Sequence, residues 1–252
     1  MPNHVANRIE FYGDKENINK VLNLIKGEEE CIDFNKIIPM PTSLQISSSS
    51  DNDIAILCYL SNKMERPFDD LDKNYLKYIT NMFDDNWAST LYYKRLPNRK
   101  ENFDELYELG KACCENISNY GHTCWYTWCR EYWGTKWNAY DQYIDEKTNI
   151  IYFNTAWSCP MPVLDKLAEI CYEYKISFTG KWADEDMGSN VGIFESDCNG
   201  DKYWFGYEYI ENCSNEAYDI YIDLQGESDC LGKDDNGKWI RYDCDTCPNK
   251  CY

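Results

Sequence analysis

Histidine is nearly missing from this chain: 252 residues hold two, His4 and His122. No HExxH pair occurs, which removes the helical zinc-protease pattern. There is no GxxxxGKS or GxxxxGKT string and no GxSxG, so neither a P-loop nor a nucleophile elbow is written here. No apolar run approaches the ~18–20 residues of a membrane span. The opening Met1-Pro2-Asn3-His4 has no basic stretch leading into an apolar core, so the expectation is a cytoplasmic protein without a secretory leader. Positive charge is also scarce, with 25 basic residues against 44 acidic ones and a net of −19. So acidic a chain repels phosphate backbones at long range, and direct nucleic-acid binding is not expected.

What is abundant is aromatic and acidic. The chain has 22 Tyr and 9 Trp, a composition that packs and adheres rather than staying disordered. From Lys181 to Tyr252 there are 6 basic and 17 acidic residues, so more than half of the charge excess lies there. Imitation of a nucleic acid, to occupy a basic groove on another protein, is one use of that charge. Solubility alone is the other. Spread evenly over a folded surface, the charge is several-fold more dilute than that of B-DNA, so imitation requires clustering.

Fourteen cysteines in a chain expected to be cytosolic argue against a disulfide framework. Cys58 and Cys171 lie in apolar patterns and read as small buried hydrophobes. Cys244, Cys247 and Cys251 form a CxxC with a third thiol beyond it, and Cys230 lies upstream. Four thiolates at these spacings suit a structural zinc, although the pattern is only half of a paired CxxC motif. Free thiols, an incidental disulfide or redox catalysis are the alternatives.

Periodicity gives the fold. His4–Tyr12 alternates like a strand. Asp14 can cap a helix whose apolar positions are Ile18, Val21, Leu22 and Ile25, and Ile32–Ile38 reads as a second strand. A helical insertion follows the Ser47–Ser50 tract, with stripes at Ile54–Leu60, Leu71–Ile79 and Phe103–Leu109. Strand signals return after Asn119, and Trp125–Trp133 is crowded with aromatics. Tyr143–Ile144 and Ile150–Trp157 pair around a turn, and Pro160–Tyr174 is a helix. Lys175–Trp182, Val191–Ser196, Lys202–Tyr209 and Tyr218–Leu224 read as strands. The expected fold is α+β: a ferredoxin-like split βαβ sandwich with an antiparallel sheet and its helices on one face. Its discontinuous domain is 1–46 with 119–213, the helical insertion is 47–118, and 214–252 is an acidic, Cys-rich C-terminal extension.

Three segments carry a resemblance. They are Met1–Gly13 with its MPNH opening and Asn7, the string Trp128–Ala139 (WCREYWGTKWNA), and Thr155–Val163 (TAWSCPMPV) joined to Ala183–Gly192 (ADEDMGSNVG). In this combination the chain resembles the YubB ferredoxin-like family of phage- and plasmid-borne proteins. The resemblance implies the ferredoxin-like fold and a mobile-element origin, and supplies no catalytic residues.

Candidate site residues fall in two of those strings. Trp133, Gly134, Lys136, Trp137 and Asn138 offer flat faces, close backbone approach and polar groups, a set suited to holding a base or to anchoring the insertion. Asp184, Glu185 and Asp186 offer a carboxylate pair or Mg²⁺ ligands, or else a solvated turn shaped by Gly188 and Asn190. His122 lies near Cys124 and Cys129 in sequence, and reads as a structural histidine. With no nucleophile motif, the expected function is non-catalytic: a mobile-element protein binding a host protein, such as a nucleic-acid-binding immune effector, and inhibiting it. No firm cofactor is expected beyond the possible zinc. The alternative is a nucleotide-binding or nucleotide-hydrolysing protein built on Trp133–Asn138 with Asp184 and Asp186.

Overall fold

The structure, a computed structural model, describes residues 3–63 and 103–242. The chain divides into two compact units, Met1–Pro39 with Arg130–Tyr252 and Met40–Cys129. In chain order the first unit opens with β1 (His4–Tyr12), α1 (Lys15–Ile25) and the single turn α2 (Phe34–Ile37). The second unit holds a 3-10 turn at Thr42–Leu44, α3 (Ser50–Lys63) and α4 (Phe103–Tyr120), and α5 (Trp125–Tyr132) leads out of it. The first unit continues with β2 (Tyr140–Asp145), β3 (Ile150–Ala156), α6 (Met161–Glu173), β4 (Ser177–Asp184), β5 (Val191–Asp197) and β6 (Trp204–Tyr209). Last come α7 (Asn215–Gln225) and the hairpin β7 (Leu231–Lys233) with β8 (Trp239–Arg241).

The sheet order is β2-β3-β1-β4-β5-β6, with every neighbouring pair antiparallel. The first four strands give the ferredoxin-like arrangement: β1 and β2 are joined through α1, and β3 lies between them. Side chains alternate across the sheet. Val5, Ile9 and Phe11 are buried on one face with Phe153, Phe178, Trp182 and Phe194. That face receives the apolar stripes of α1 (Ile18, Val21, Ile25) and α6 (Val163, Leu164, Leu167, Cys171). Phe34 meets Phe153 edge-on, and α2 packs against both α1 and α6, so the three helices share the face. On the opposite face, among the described residues, α7 covers one end, where Ala217, Ile220 and Tyr221 pack on Ala183 and Val191.

Three sequence expectations are corrected. Ile32–Ile38 is not a strand. Phe34 and Ile37, three apart, are the residues α2 buries, and Asp33 caps that turn by accepting from Asn35 N at 2.9 Å. The strand pairing in register with β1 on that side therefore comes from beyond the insertion. Trp125–Trp133 is helix rather than strand over Trp125–Tyr132. Tyr218–Leu224 also lies in a helix: Ser214 accepts from Ala217 N at 3.1 Å, and Ala217, Tyr218, Ile220 and Tyr221 make its buried stripe. Because α7 packs on the sheet, the segment after 214 belongs to the same compact unit as far as it is described.

In the second unit, α3 and α4 pack through Ile56, Tyr59, Leu60, Cys113, Cys114 and Ile117. Gly110 permits that approach, since a Cβ there would lie 1.9 Å from the Ala55 carbonyl oxygen. The helical stripe expected at Leu71–Ile79 lies outside the described residues, as does the side chain of Cys58.

Candidate functional site

Most of the Trp133–Asn138 string works inside the fold. Trp133 is buried, donates its Nε1–H to the Ile38 carbonyl at 2.9 Å and meets the Phe34 ring edge-on. Gly134 has φ +73°, a left-handed turn, and a Cβ there would come 2.6 Å from Pro162. Thr135 is buried, donating to the Ala156 carbonyl at 2.7 Å and accepting from Ala156 N at 3.1 Å. Asn138 accepts from Phe34 N at 2.9 Å and donates to Asp33 at 2.7 Å, which pins α2 to the loop. Lys136 and Trp137 are half-buried. The Lys136 ammonium stands 4.5 Å from the Trp137 ring and 4.8 Å from the Trp157 ring, a cation held between two indole faces.

The acidic triplet separates into different roles. Asp184, 4% exposed, accepts from Asn3 Nδ2 at 3.2 Å, Asp186 N at 3.0 Å and Asn190 Nδ2 at 3.0 Å. Asp186 is exposed and pairs with Arg241 at 3.1 Å. Glu185 is exposed, and its backbone N–H donates to the His4 carbonyl at 2.8 Å. Gly188 (φ +75°) and Asn190 (φ +47°) turn the chain between β4 and β5. Asn190 also donates to the Trp157 carbonyl at 3.3 Å. Through that one amide the Lys136–Trp157 stack and the Asp184 turn are joined. Asp184 and Asp186 are not presented together as a pair.

Thiols and histidines are placed apart from any such chemistry. His122 is buried, with Nδ1 3.0 Å from the Thr127 hydroxyl. Burial pushes the Cys113 and Cys129 thiols up to about 12, and Cys159 and Cys171 rise as well for the same reason. Such groups stay protonated and unreactive near neutrality. Of the proposed zinc set, Cys230 is half-buried before β7, while Cys244, Cys247 and Cys251 lie outside the described residues. Among the described residues no group of three or more His, Cys, Asp or Glu side chains is placed to hold a metal.

The surface best built for recognition is the part of the sheet that α7 leaves open. Strand registers place Tyr143, Tyr152, Arg8, Lys181, Ile193 and Glu208 in one row across the six strands. Tyr143 and Tyr152 stack in parallel with ring centres 4.5 Å apart. Beside the row lie Thr179, Glu195 and the half-exposed indole of Trp204. A groove of about 490 Å³ runs here between Arg8, Lys181, Ile193, Glu195, Trp204 and Glu208. Both cations on the face are answered, Arg8 by Glu10 at 2.6 Å and Lys181 by Asp223 at 2.7 Å. Glu195 and Glu208 then leave the face acidic. A depression of about 590 Å³ elsewhere, near Glu28–Glu30, is walled by solvated charges of both signs, among them Lys15 and Lys26. Sequence reasoning missed the open face. Its signal was alternation: in Ile150–Ala156 and Trp204–Tyr209, aromatics occupy the positions that point away from the helices as well as those that face them.

Residues 136–230 match the family model of a ferredoxin-like domain in Api92-like protein. The match spans β2 to the end of α7, most of the ferredoxin-like domain after the insertion. A search of solved structures finds the crystal structure of a protein api92 from Yersinia pseudotuberculosis, at 11% identity and a TM-score of 0.38, covering 84% of this chain and 99% of that one. No curated protein matches the chain. Among the described residues no helix is long and apolar enough to cross a membrane.

Proposed function

We propose that this chain is a non-catalytic binding protein whose open sheet face docks on a basic surface of a protein partner. One observation carries the reading. Among the described residues no helix lies over this part of the sheet, which presents Tyr143, Ile193 and Trp204, each more than a third exposed, within an acidic surround. Exposed aromatics make strong interface anchors, and a complementary field speeds encounter. Asp184 supports it from the other side, because three internal donors already hold its carboxylate. The resemblance of Trp128–Ala139 and Ala183–Gly192 to phage- and plasmid-borne proteins extends the proposal. On that footing the partner is a host protein met in the host cytoplasm, and an immune effector with a nucleic-acid groove suits a −19 chain. The test is capture from host lysate at low and high salt by the wild type and by Tyr152→Ala/Ile193→Asp. The expected result is a captured protein whose yield falls with salt and with the double variant at unchanged melting temperature. Equal capture by both proteins refutes the use of this face.

A second reading, a nucleotide site, is favoured by the Lys136 ammonium lying between two indoles and joined through Asn190 to Asp184. Tryptophan fluorescence during a nucleotide titration tests it. A saturable change that disappears in Trp157→Ala supports a ligand at this position, and a flat titration rejects it.

A further inference from the structure

The six-stranded sheet has two edges, and they differ. At β2 the register shifts between Tyr140 and Tyr143, and Asp141 has φ +47°. The α1–α2 loop lies against this strand, with Ile32 N donating to Gln142 at 2.7 Å. A bulge and a covering loop are standard protections of an edge. At β6 the six residues Trp204–Tyr209 pair with β5 without a register shift and contain neither Pro nor Lys. Ile210 N donates to the Val191 carbonyl at 3.0 Å, which sets the phase of the ladder. Residues 204, 206 and 208 therefore bond to β5, while Phe205, Tyr207 and Tyr209 direct N–H and C=O outward. Among the described residues nothing accepts from or donates to these outward groups.

We propose that β6 is a strand-addition site for an extended segment of a protein partner in which basic residues alternate with apolar ones. The proposal rests on the partner-binding reading above and names the element that would make main-chain contact. Side-chain chemistry sets the alternation. On the open face the incoming strand meets Glu208, with Glu195 one strand further in, and both are exposed. Lys or Arg at alternate positions answers them. On the other face it meets the rings of Tyr207 and Tyr209, 53% and 60% exposed, which favour an apolar side chain. A second copy of this chain suits the edge poorly, since it brings another −19 and the same carboxylates.

The probe is a capped octapeptide of alternating Val and Lys, with a control N-methylated at alternate residues so that one edge cannot donate. Amide exchange of the full chain is followed at Phe205, Tyr207 and Tyr209. Saturating peptide is expected to slow these amides about tenfold or more, and the methylated control to bind about tenfold or more weaker, as the loss of several main-chain hydrogen bonds implies. Tyr207→Pro removes the central outward N–H without touching the β5 ladder, and should abolish binding. Tyr207→Lys, which keeps the backbone intact and repels the peptide, should do the same if the proline variant melts early. No protection at the three amides, or equal binding of the methylated peptide, overturns the proposal. So does a concentration-dependent dimer in sedimentation that Tyr207→Lys dissolves, because the occupant is then a second copy. Partner capture lost in Tyr152→Ala/Ile193→Asp but kept in both Tyr207 variants overturns the edge alone and leaves the face reading standing.

Discussion

Replacing Asp184 by Asn exchanges one acceptor oxygen for a donor and leaves size almost unchanged. The structure fixes the consequence. Oδ1 accepts from Asn3 Nδ2 and Asp186 N, and Oδ2 accepts from Asn190 Nδ2. An Asn keeps its own oxygen toward the first two donors, and its new NH₂ then faces the NH₂ of Asn190. Asn190 cannot relieve this by turning its amide, because its Oδ1 takes the Trp182 indole N–H at 3.4 Å and its Nδ2 also serves the Trp157 carbonyl. A buried donor left without an acceptor costs about 1–3 kcal/mol. For a chain of this size that lowers Tm by about 2–4 °C per kcal/mol, or about 2–12 °C in all. Asp186→Asn removes an exposed ion pair with Arg241, so the expected loss is below about 1 kcal/mol. Differential scanning fluorimetry on the two single variants reads the contrast. If Asp184→Asn melts with the wild type, the buried acceptor account is wrong. If in addition a metal-dependent consumption of nucleotide or nucleic acid by the wild type is lost in Asp184→Asn/Asp186→Asn, the pair is catalytic and the non-catalytic proposal falls.

Other outcomes follow from the same geometry. Trp133→Ala opens a cavity beneath α2 and breaks the bond to the Ile38 carbonyl, with an expected loss of about 3–5 kcal/mol by chemical denaturation. The thiols give a pH dependence. Cys113 and Cys129 are pushed up to about 12 by burial, against about 8.5 in an unfolded chain. Their stabilisation is complete below the unfolded value and is lost as pH rises toward the folded one, so Tm should fall between pH 8 and pH 10 and fall less in Cys113→Ala/Cys129→Ala. Among the described cysteines, native labelling with a thiol reagent should reach exposed Cys213 before the others and spare Cys159 and Cys171, which mass spectrometry of the modified peptides checks. Partner affinity should weaken with salt, because attraction between a −19 chain and a basic surface is screened beyond about 8 Å at physiological ionic strength. An affinity indifferent to salt points to an aromatic interface and removes the electrostatic part of the proposal.

Helices and strands with a single period were legible in the sequence. Ile18, Val21 and Ile25 admit only a helical stripe, and Asp14 announces its start by accepting from Glu16 N. His4–Tyr12 admits only alternation. Where two periods fit, local reading failed. Tyr218, Ile220, Ile222 and Leu224 alternate like a strand, but Ala217, Tyr218, Ile220 and Tyr221 also make a helical stripe, and the Ser214 cap decides between them. At Ile32–Ile38 a run of β-formers yields to a capped turn, because Asn138 supplies an acceptor for Phe34 N from 104 residues away. No local pattern contains that partner.

The candidate site was only partly legible for a related reason. The strings WGTKWN and ADEDMGSN are distinctive because several polar residues in each are committed to one another across the chain. Thr135 reaches Ala156, Asn138 reaches Asp33, Asp184 reaches Asn3, and Asn190 reaches Trp157. Buried polar groups must be paired, so such a network constrains residue identity as tightly as catalysis does. Specific strings therefore mark where the ferredoxin-like sheet is fastened at its β3 and β4 ends. Recognition surfaces obey the opposite rule. Tyr143, Tyr152, Ile193 and Trp204 lie on four separate strands and become neighbours only through the registers of the sheet. A tyrosine stacked on the open face and one buried under a helix are the same letter. What separates them is which side of the strand they occupy and whether a helix lies over it. The face that α7 leaves uncovered is a property of the assembled sheet, and so is the unpaired edge of β6 beside it.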